Sequence, residues 1–511
     1  MKNWGGARLI AAGILLSRVF GLVRQKVVAY FLGDSVAADA LTAAFRIPNF
    51  LQNLFGEGVL SASFIPVYSR LLAEGKREEA GRVAGAVFSL LALTTAVLVL
   101  GGIAATPLLV DLIAPGLEGE GRGLAVQLVR LIFPGVGMLV LGAWCLGVLN
   151  SHRRFFLSYV SPVLFNLTVI VALLVGGFGE SGERVAWIAA AASVAGSALQ
   201  FAIQVPLVLR LERGLRFSPS ASSPLVRSVA ARFGTVVVGR GVVQVSGFVD
   251  TAIASLIGAG SLATLGYSQA ISMLPISLFG MSIAASELPA MAGEIGTTEE
   301  VATALRVRLD RGLGRIAYFV IPSAVALFAL GGVIAAGLYL GGEFTSDSAR
   351  WVQAALAGSA FGLLAGTMGR LYSSASYALG DASTPLRYAI VRVVLGGVLG
   401  WMLSRSLPAY LQVDQRWGIT VLTMASGIAA WVEFQLLRRA ITARIGPTGV
   451  AKKRLAALWG CAIAAGLAGA AVTKVVSLRY PVLVAVEVFV VFGAVYLGAT
   501  RLLKVDDARR A

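Results

Sequence analysis

The sequence predicts an all-α polytopic membrane protein of about fourteen transmembrane helices, in two pseudo-symmetric six-helix lobes followed by two C-terminal helices. Three observations carry this reading: an apolar composition, an alternation of basic turns, and an internal repeat. Of the 511 residues 57% are hydrophobic and 14% are charged, with a mean hydropathy of +0.82. Globular domains carry about 25% charged residues, so the chain is built for a bilayer.

Taken in order, apolar runs of about 20 residues centre near Val19, Phe55, Leu98, Val136, Ile170, Ala195 and Val245. The series continues near Phe279, Leu327, Ala365, Leu395, Ala425, Gly466 and Val491. Lys2 and Arg8 precede the first run as in a signal peptide, but it meets Ser17-Arg18 without a cleavage site and reads as an uncleaved helix. Between the runs there is no Ser/Pro-rich linker and no long soluble segment.

The basic residues follow the positive-inside rule. With the N-terminus cytoplasmic, inside turns hold Arg70–Arg82, Arg153–Arg154, Arg210–Arg232, Arg306–Arg315, Arg387 and Arg438–Arg454, and the tail adds Arg501–Arg510. Roughly 28 of the 43 Lys and Arg residues fall inside, about 7 outside and about 8 within spans. Both termini are therefore expected in the cytoplasm. The net charge of +17 reflects this topology and not a nucleic-acid partner.

The repeat sets the lobes. Phe31-Leu32-Gly33, Pro48, Leu54-Phe55-Gly56 and Ala62-Ser63-Phe64-Ile65-Pro66 recur as Leu256-Ile257-Gly258, Pro275, Leu278-Phe279-Gly280 and Ala285-Ser286-Glu287-Leu288-Pro289. The offset of about 223–227 residues spans an even number of helices, so the halves are parallel. The expected division is 1–215 for helices 1–6, 216–445 for helices 7–12, and 446–511 for helices 13–14 and a cytoplasmic tail. Two parallel lobes flanking a central path suit alternating access by rocking.

Ionised residues within the spans are the functional candidates, because a charge at the bilayer centre costs roughly 2.5–3.5 kcal/mol on insertion scales. In helix 1, Ser17 and Arg24 share a face, Arg18 points elsewhere unless Gly13 and Gly21 let the helix bend, and Lys26 snorkels near the end. In helix 2, Asp39, Arg46, Asn53 and Glu57 fall in one angular sector, and Pro48 is expected to interrupt the helix. The alternative for this stripe is a structural Asp39–Arg46 or Arg46–Glu57 pair.

Later helices add Arg240, Gln244, Asp250, Gln269, Glu287, Arg370 and Arg392. Asp250 is expected either to pair with Arg392 and pin two helices, or to bind a coupling cation or proton. It is the only metal candidate, and Val391–Leu399 supplies no oxygen ligands to help it. In all, about eight basic residues face five acidic ones (Asp39, Glu57, Asp250, Glu287, Glu433). Guanidinium groups make bidentate hydrogen bonds to phosphate, so the expected substrate is anionic and phosphate-bearing. A cationic-drug antiporter would want the opposite balance.

No enzyme is expected. There is no HExxH, no GxxxxGK[ST] and no GxSxG, and His152 is the sole histidine. Cys145 and Cys461 lie within apolar spans and form neither a disulfide framework nor a metal site. No cofactor follows, so uphill transport would draw on a coupling cation or the membrane potential.

Ser17-Arg18-Val19-Phe20-Gly21-Leu22-Val23-Arg24, Gly33, Ala38-Asp39-Ala40, Phe45-Arg46-Ile47-Pro48-Asn49 and Phe55-Gly56-Glu57-Gly58 resemble the MurJ (MviN) family of the multidrug/oligosaccharidyl-lipid/polysaccharide exporter superfamily. The resemblance extends through Gly147-Val148-Leu149-Asn150, Gln244–Ser255 and Tyr377–Pro385. It implies a monomeric lipid II flippase of the bacterial inner membrane, for peptidoglycan and cell-wall synthesis. Such a protein moves undecaprenyl-pyrophosphate-linked precursor between leaflets, with the last two helices lining a groove for its tail. Membrane lipids are the other expected partner. The resemblance places the pyrophosphate on Arg18 and Arg24, beside Ser17, and pairs Asp39 with the arginines when substrate is absent. With Arg46, Asn49, Asn53, Glu57, Arg240 and Arg370 these make the expected substrate-binding set. By that resemblance an arginine pair in helix 2 is replaced by Gln52-Asn53 and an arginine in helix 8 by Ala270, and Gln25 stands where an acidic residue is usual. Those departures keep open an exporter of another lipid-linked polysaccharide.

Overall fold

A computed structural model describes residues 4–212, 214–218, 223–293, 297–475 and 480–505. In these residues the backbone is helical and contains no strand beyond an isolated bridge between Gly341 and Phe344. A bilayer leaves no water for backbone polar groups, and helices satisfy them internally.

The chain divides into two compact units, Met1–Phe248 and Val249–Ala511. The first contains α1 (Trp4–Leu32), α2 (Val36–Phe55), α3 (Glu57–Ser63), α4 (Ile65–Ala73) and α5 (Arg77–Ala104). It continues with α6 (Thr106–Ile113), α7 (Gly119–Ser151), α8 (Phe155–Gly176), α9 (Gly182–Ala202) and α10 (Val205–Leu211). Helix α11 (Pro224–Ser255) carries the boundary within it. The second unit holds α12 (Ser261–Pro275), a π-helical segment Ile276–Met281, α13 (Ser282–Ala292), α14 (Thr298–Tyr339) and α15 (Ser346–Ala378). After these come α16 (Ser383–Tyr410), α17 (Gly418–Ile445), α18 (Lys452–Val475) and α19 (Pro481–Leu502).

Among the described residues eleven helical stretches are long and apolar enough to cross a membrane. The other three helices of 20 residues or more, α1, α2 and α11, are those carrying the Arg18, Asp39 and Asp250 groups of charges. The expected count of about fourteen needs these three as spans as well.

Inside each unit one helix is central. In the first, α7 packs against α2, α5 and α9, α8 lies on α9, and α1 lies on α8. In the second, α15 packs against α12, α13, α14 and α17, and α16 lies on α17, while α18 and α19 pack on α14. Small residues let these helices approach. Gly362 of α15 and Gly427 of α17 meet backbone to backbone, so that a Cβ on Gly427 would lie 2.9 Å from the Gly362 nitrogen. The adjacent Thr423 hydroxyl donates across the seam to the Ala355 carbonyl at 3.0 Å.

Side chains fix the helix ends. Ser35 caps α2 and Thr297 with Glu300 forms a capping box on α14. In the turn between α15 and α16, Asp381 accepts from the Thr384 hydroxyl and amide and from Ser383, and Arg444 of α17 donates to it at 2.6 Å. These donors hold its carboxyl well below the usual range, the Thr384 hydroxyl foremost.

At the basic end of the first unit, the Tyr68 hydroxyl of α4 donates to the buried Glu212 carboxylate at 2.8 Å and lies 3.0 Å from His152 Nε2. The tyrosine has one proton and gives it to Glu212, so His152 Nε2 carries a hydrogen and donates to the tyrosine oxygen. Burial, the largest effect, lowers the His152 pKa from its usual 6.5, against the pull of Glu212. The unfolded chain then binds this proton more readily than the folded one, so the His152 contribution to stability is present above 6.5 and lost as the pH falls below it. The thermal midpoint in detergent is expected to drop on acidification below pH 6.5. His152→Gln, which retains an N–H donor, should flatten that drop relative to the parent; an unchanged pH profile would contradict this assignment.

Candidate functional site

The sequence candidates fall on α1 and α2 of the first unit and on α11, α15, α16 and α17. Helix α1 is seated on α8 where Gly13 lies against Tyr159, since a Cβ at Gly13 would come 2.8 Å from the Tyr159 Cβ. Further along α1, the half-buried Arg24 guanidinium carbon stands 5.4 Å from the Phe165 ring centroid of α8 and 6.0 Å from that of Phe45 in α2. Among the described residues Arg24 has no carboxylate partner, and neither does the exposed Arg18. Ser17 is half-buried beside them.

On α2, Asp39 is only 2% exposed, in the first turn under the Ser35 cap. Asp39, Arg46 and Lys26 are each engaged by neighbouring groups. Asn49 and Asn53 are exposed, and Gln52 is half-buried between them. The side chains of Glu57 and Arg240 lie outside the described residues.

The expected interruption at Pro48 is not where the helix breaks. α2 runs through Pro48 and ends at Phe55, with Gly56 in an extended conformation (φ −84°, ψ −154°) before α3 starts. Proline costs a helix one backbone hydrogen bond, which α2 absorbs. The break falls at Gly56, where only glycine fits because the Gln52 carbonyl occupies the space a Cβ would need. The second unit is irregular at the matching place, the π-helical segment Ile276–Met281, a feature frequent at functional sites.

The expected Asp250–Arg392 pair is replaced by two others. Arg392 of α16 pairs with Glu433 of α17 at 3.3 Å, and Asp250 accepts a hydrogen bond from the Ser426 hydroxyl of α17 at 3.1 Å. Ser426 and Glu433 are two turns apart on one face of α17, so the same helix partners both groups at different depths. Arg370 of α15 is exposed and lies beside the Arg392–Glu433 pair, giving this cluster two guanidiniums to one carboxylate. Glu287 faces Arg308 and Arg315 of α14 at 3.8 and 3.7 Å.

Chemically, the arrangement favours anion binding over proton transfer or metal catalysis. Arg18 and Arg24 offer planar donor forks that no carboxylate among the described residues occupies. Among the described residues no group of three or more His, Cys, Asp and Glu is placed to hold a metal ion. The sequence reading missed Phe45 and Phe165. Each is one of 24 phenylalanines, and only the packing of α1, α2 and α8 shows which rings meet Arg24.

The family described as lipid II flippase MurJ matches residues 28–491. Lipid II flippase MurJ of Burkholderia cenocepacia is 30% identical over 431 residues, covering 83% of this chain and 80% of that protein. Probable lipid II flippase MurJ of Rhizobium tropici is 31% identical over 405 residues, covering 77% and 74%. Among solved structures, a lipid II flippase MurJ in an inward closed conformation aligns with a TM-score of 0.78 at 21% identity, over 97% of this chain and 99% of that one. An inward-facing multidrug resistance MATE transporter aligns with a TM-score of 0.67 at 19% identity, over 84% and 95%, which places it in the same fold. From the family match and the curated relatives, the chain is a multi-pass membrane protein that belongs to the lipid II flippase MurJ family.

Proposed function

We propose that this chain carries lipid II, the undecaprenyl-pyrophosphate-linked peptidoglycan precursor, from the inner to the outer leaflet of the bacterial cytoplasmic membrane by alternating access. Arg24 is the observation that carries the reading. It is a guanidinium inside an apolar bundle, held by two aromatic rings and matched by no carboxylate among the described residues. Such a group is costly in a membrane unless it meets an anion there, and a pyrophosphate is an anion whose oxygens fit the guanidinium fork. The relatives named above supply the identity of the cargo.

In this reading the protein works as a monomer with fourteen spans and both termini in the cytoplasm. With no nucleotide-binding motif in the sequence, the membrane potential or a coupling cation drives the cycle, Asp250 with Ser426 being the candidate for the latter. Gln52 and Ala270, at positions where the resemblance leads one to expect arginines, favour a second reading in which the cargo is another lipid-linked polysaccharide.

In a bacterial strain depleted of its own flippase, the wild-type chain is expected to restore growth and surface exposure of lipid II. Arg24→Ala and Arg18→Ala, at normal membrane levels, should lower translocation by about 10- to 100-fold, the worth of one charge-assisted hydrogen-bonded contact. Normal growth with either variant would contradict the anion site. Growth failure of the wild type with intact membrane insertion would favour the polysaccharide reading.

A further inference from the structure

We infer that Phe45 and Phe165 are positioning residues for Arg24, holding its guanidinium by their ring faces so that its N–H edge stays open to the substrate's pyrophosphate. The inference rests on the anionic cargo proposed above and adds the means by which the arginine is kept ready.

A guanidinium has five N–H donors in one plane. A carboxylate partner would take two of them in a bidentate pair and cancel the charge, so an incoming phosphate would have to displace it. An aromatic face attracts the cation through the ring quadrupole and presents no lone pair to claim an N–H. Two rings at 5.4 and 6.0 Å therefore restrain Arg24 without neutralising it. The site trades a strong permanent partner for two weak ones.

The rings are themselves held. Phe165 lies on α8 where Gly196 of α9 presses against its backbone, and a Cβ at Gly196 would sit 3.0 Å from both the Phe165 Cα and its carbonyl oxygen. α8 is in turn seated on α1 by the Gly13–Tyr159 contact, on the helix that bears Arg24. Phe45 follows the buried Ala43 and Ala44 on α2 and precedes the buried Ile47, so the neighbouring packing fixes its direction. Arg24 thus has its rotamer set from two helices other than its own. This limits the side-chain entropy lost when a pyrophosphate arrives.

The test uses the full-length protein in lipid nanodiscs, with labelled undecaprenyl pyrophosphate as the probe and the dissociation constant as the readout. Phe165→Leu keeps an apolar side chain and removes the ring; it is expected to weaken binding about tenfold. Phe165→Tyr keeps the ring and should bind within about twofold of the parent. In an Arg24→Ala background, Phe165→Leu should cause no further loss, because the ring acts only through the arginine. Parental affinity in Phe165→Leu, or an equal loss with and without Arg24, would overturn the positioning role. Parental affinity in Arg24→Ala alone would overturn the pyrophosphate site itself, which separates the two failures.

Discussion

The expense of an ionised group in hydrocarbon governs this molecule. Each guanidinium placed along α1, α11, α15 or α16 must be balanced by a neighbour, by water, or by something that arrives. Two solutions are visible. In the second unit Arg392 pairs with Glu433 and Asp250 accepts from Ser426, so these groups find polar partners within the bundle. In the first unit Arg24 meets rings, which restrain it without cancelling its charge, and among the described residues no carboxylate does so. A lasting ion pair serves structure, whereas an uncancelled cation serves an anion that comes and goes.

The scaffold follows from the same constraint. Backbone polar groups are satisfied within helices, and close approach is reached through small residues, as at Gly362–Gly427 and Gly13–Tyr159. The irregular backbone at Gly56 and at Ile276–Met281 comes at matching places in the two units. Breaks of this kind are tolerated at membrane depth only where protein or a water-filled cavity receives the freed groups. α2, which carries Asp39 and Arg46, is the helix that ends at such a break.

Much of the fold was legible before any coordinates, since an apolar run of bilayer length and a basic turn after every second run are one-dimensional signals. α5, α7, α14 and α19 could be read from composition alone. α1 and α2 were legible for the opposite reason, as spans with too much charge. The site was half legible: Arg18, Arg24 and Asp39 stand out because they are expensive. Their partners do not, because a partner is set by which helices touch. Glu433 was visible as a buried acid, but its pairing with Arg392 depends on α16 lying against α17. Pro48 drew the eye as a helix breaker, yet proline costs one hydrogen bond, while the crowding at Gly56 is a three-dimensional fact. Phe165, far from Arg24 in sequence, had no local mark at all.

The central claim is that an uncancelled guanidinium on α1 reads the pyrophosphate of a prenyl lipid. The most direct test compares affinity for undecaprenyl pyrophosphate with affinity for undecaprenol, its uncharged counterpart, in the wild type and in Arg24→Gln. The account predicts a strong preference for the pyrophosphate in the wild type that shrinks by about tenfold or more in the variant. Equal preference in both proteins would contradict it.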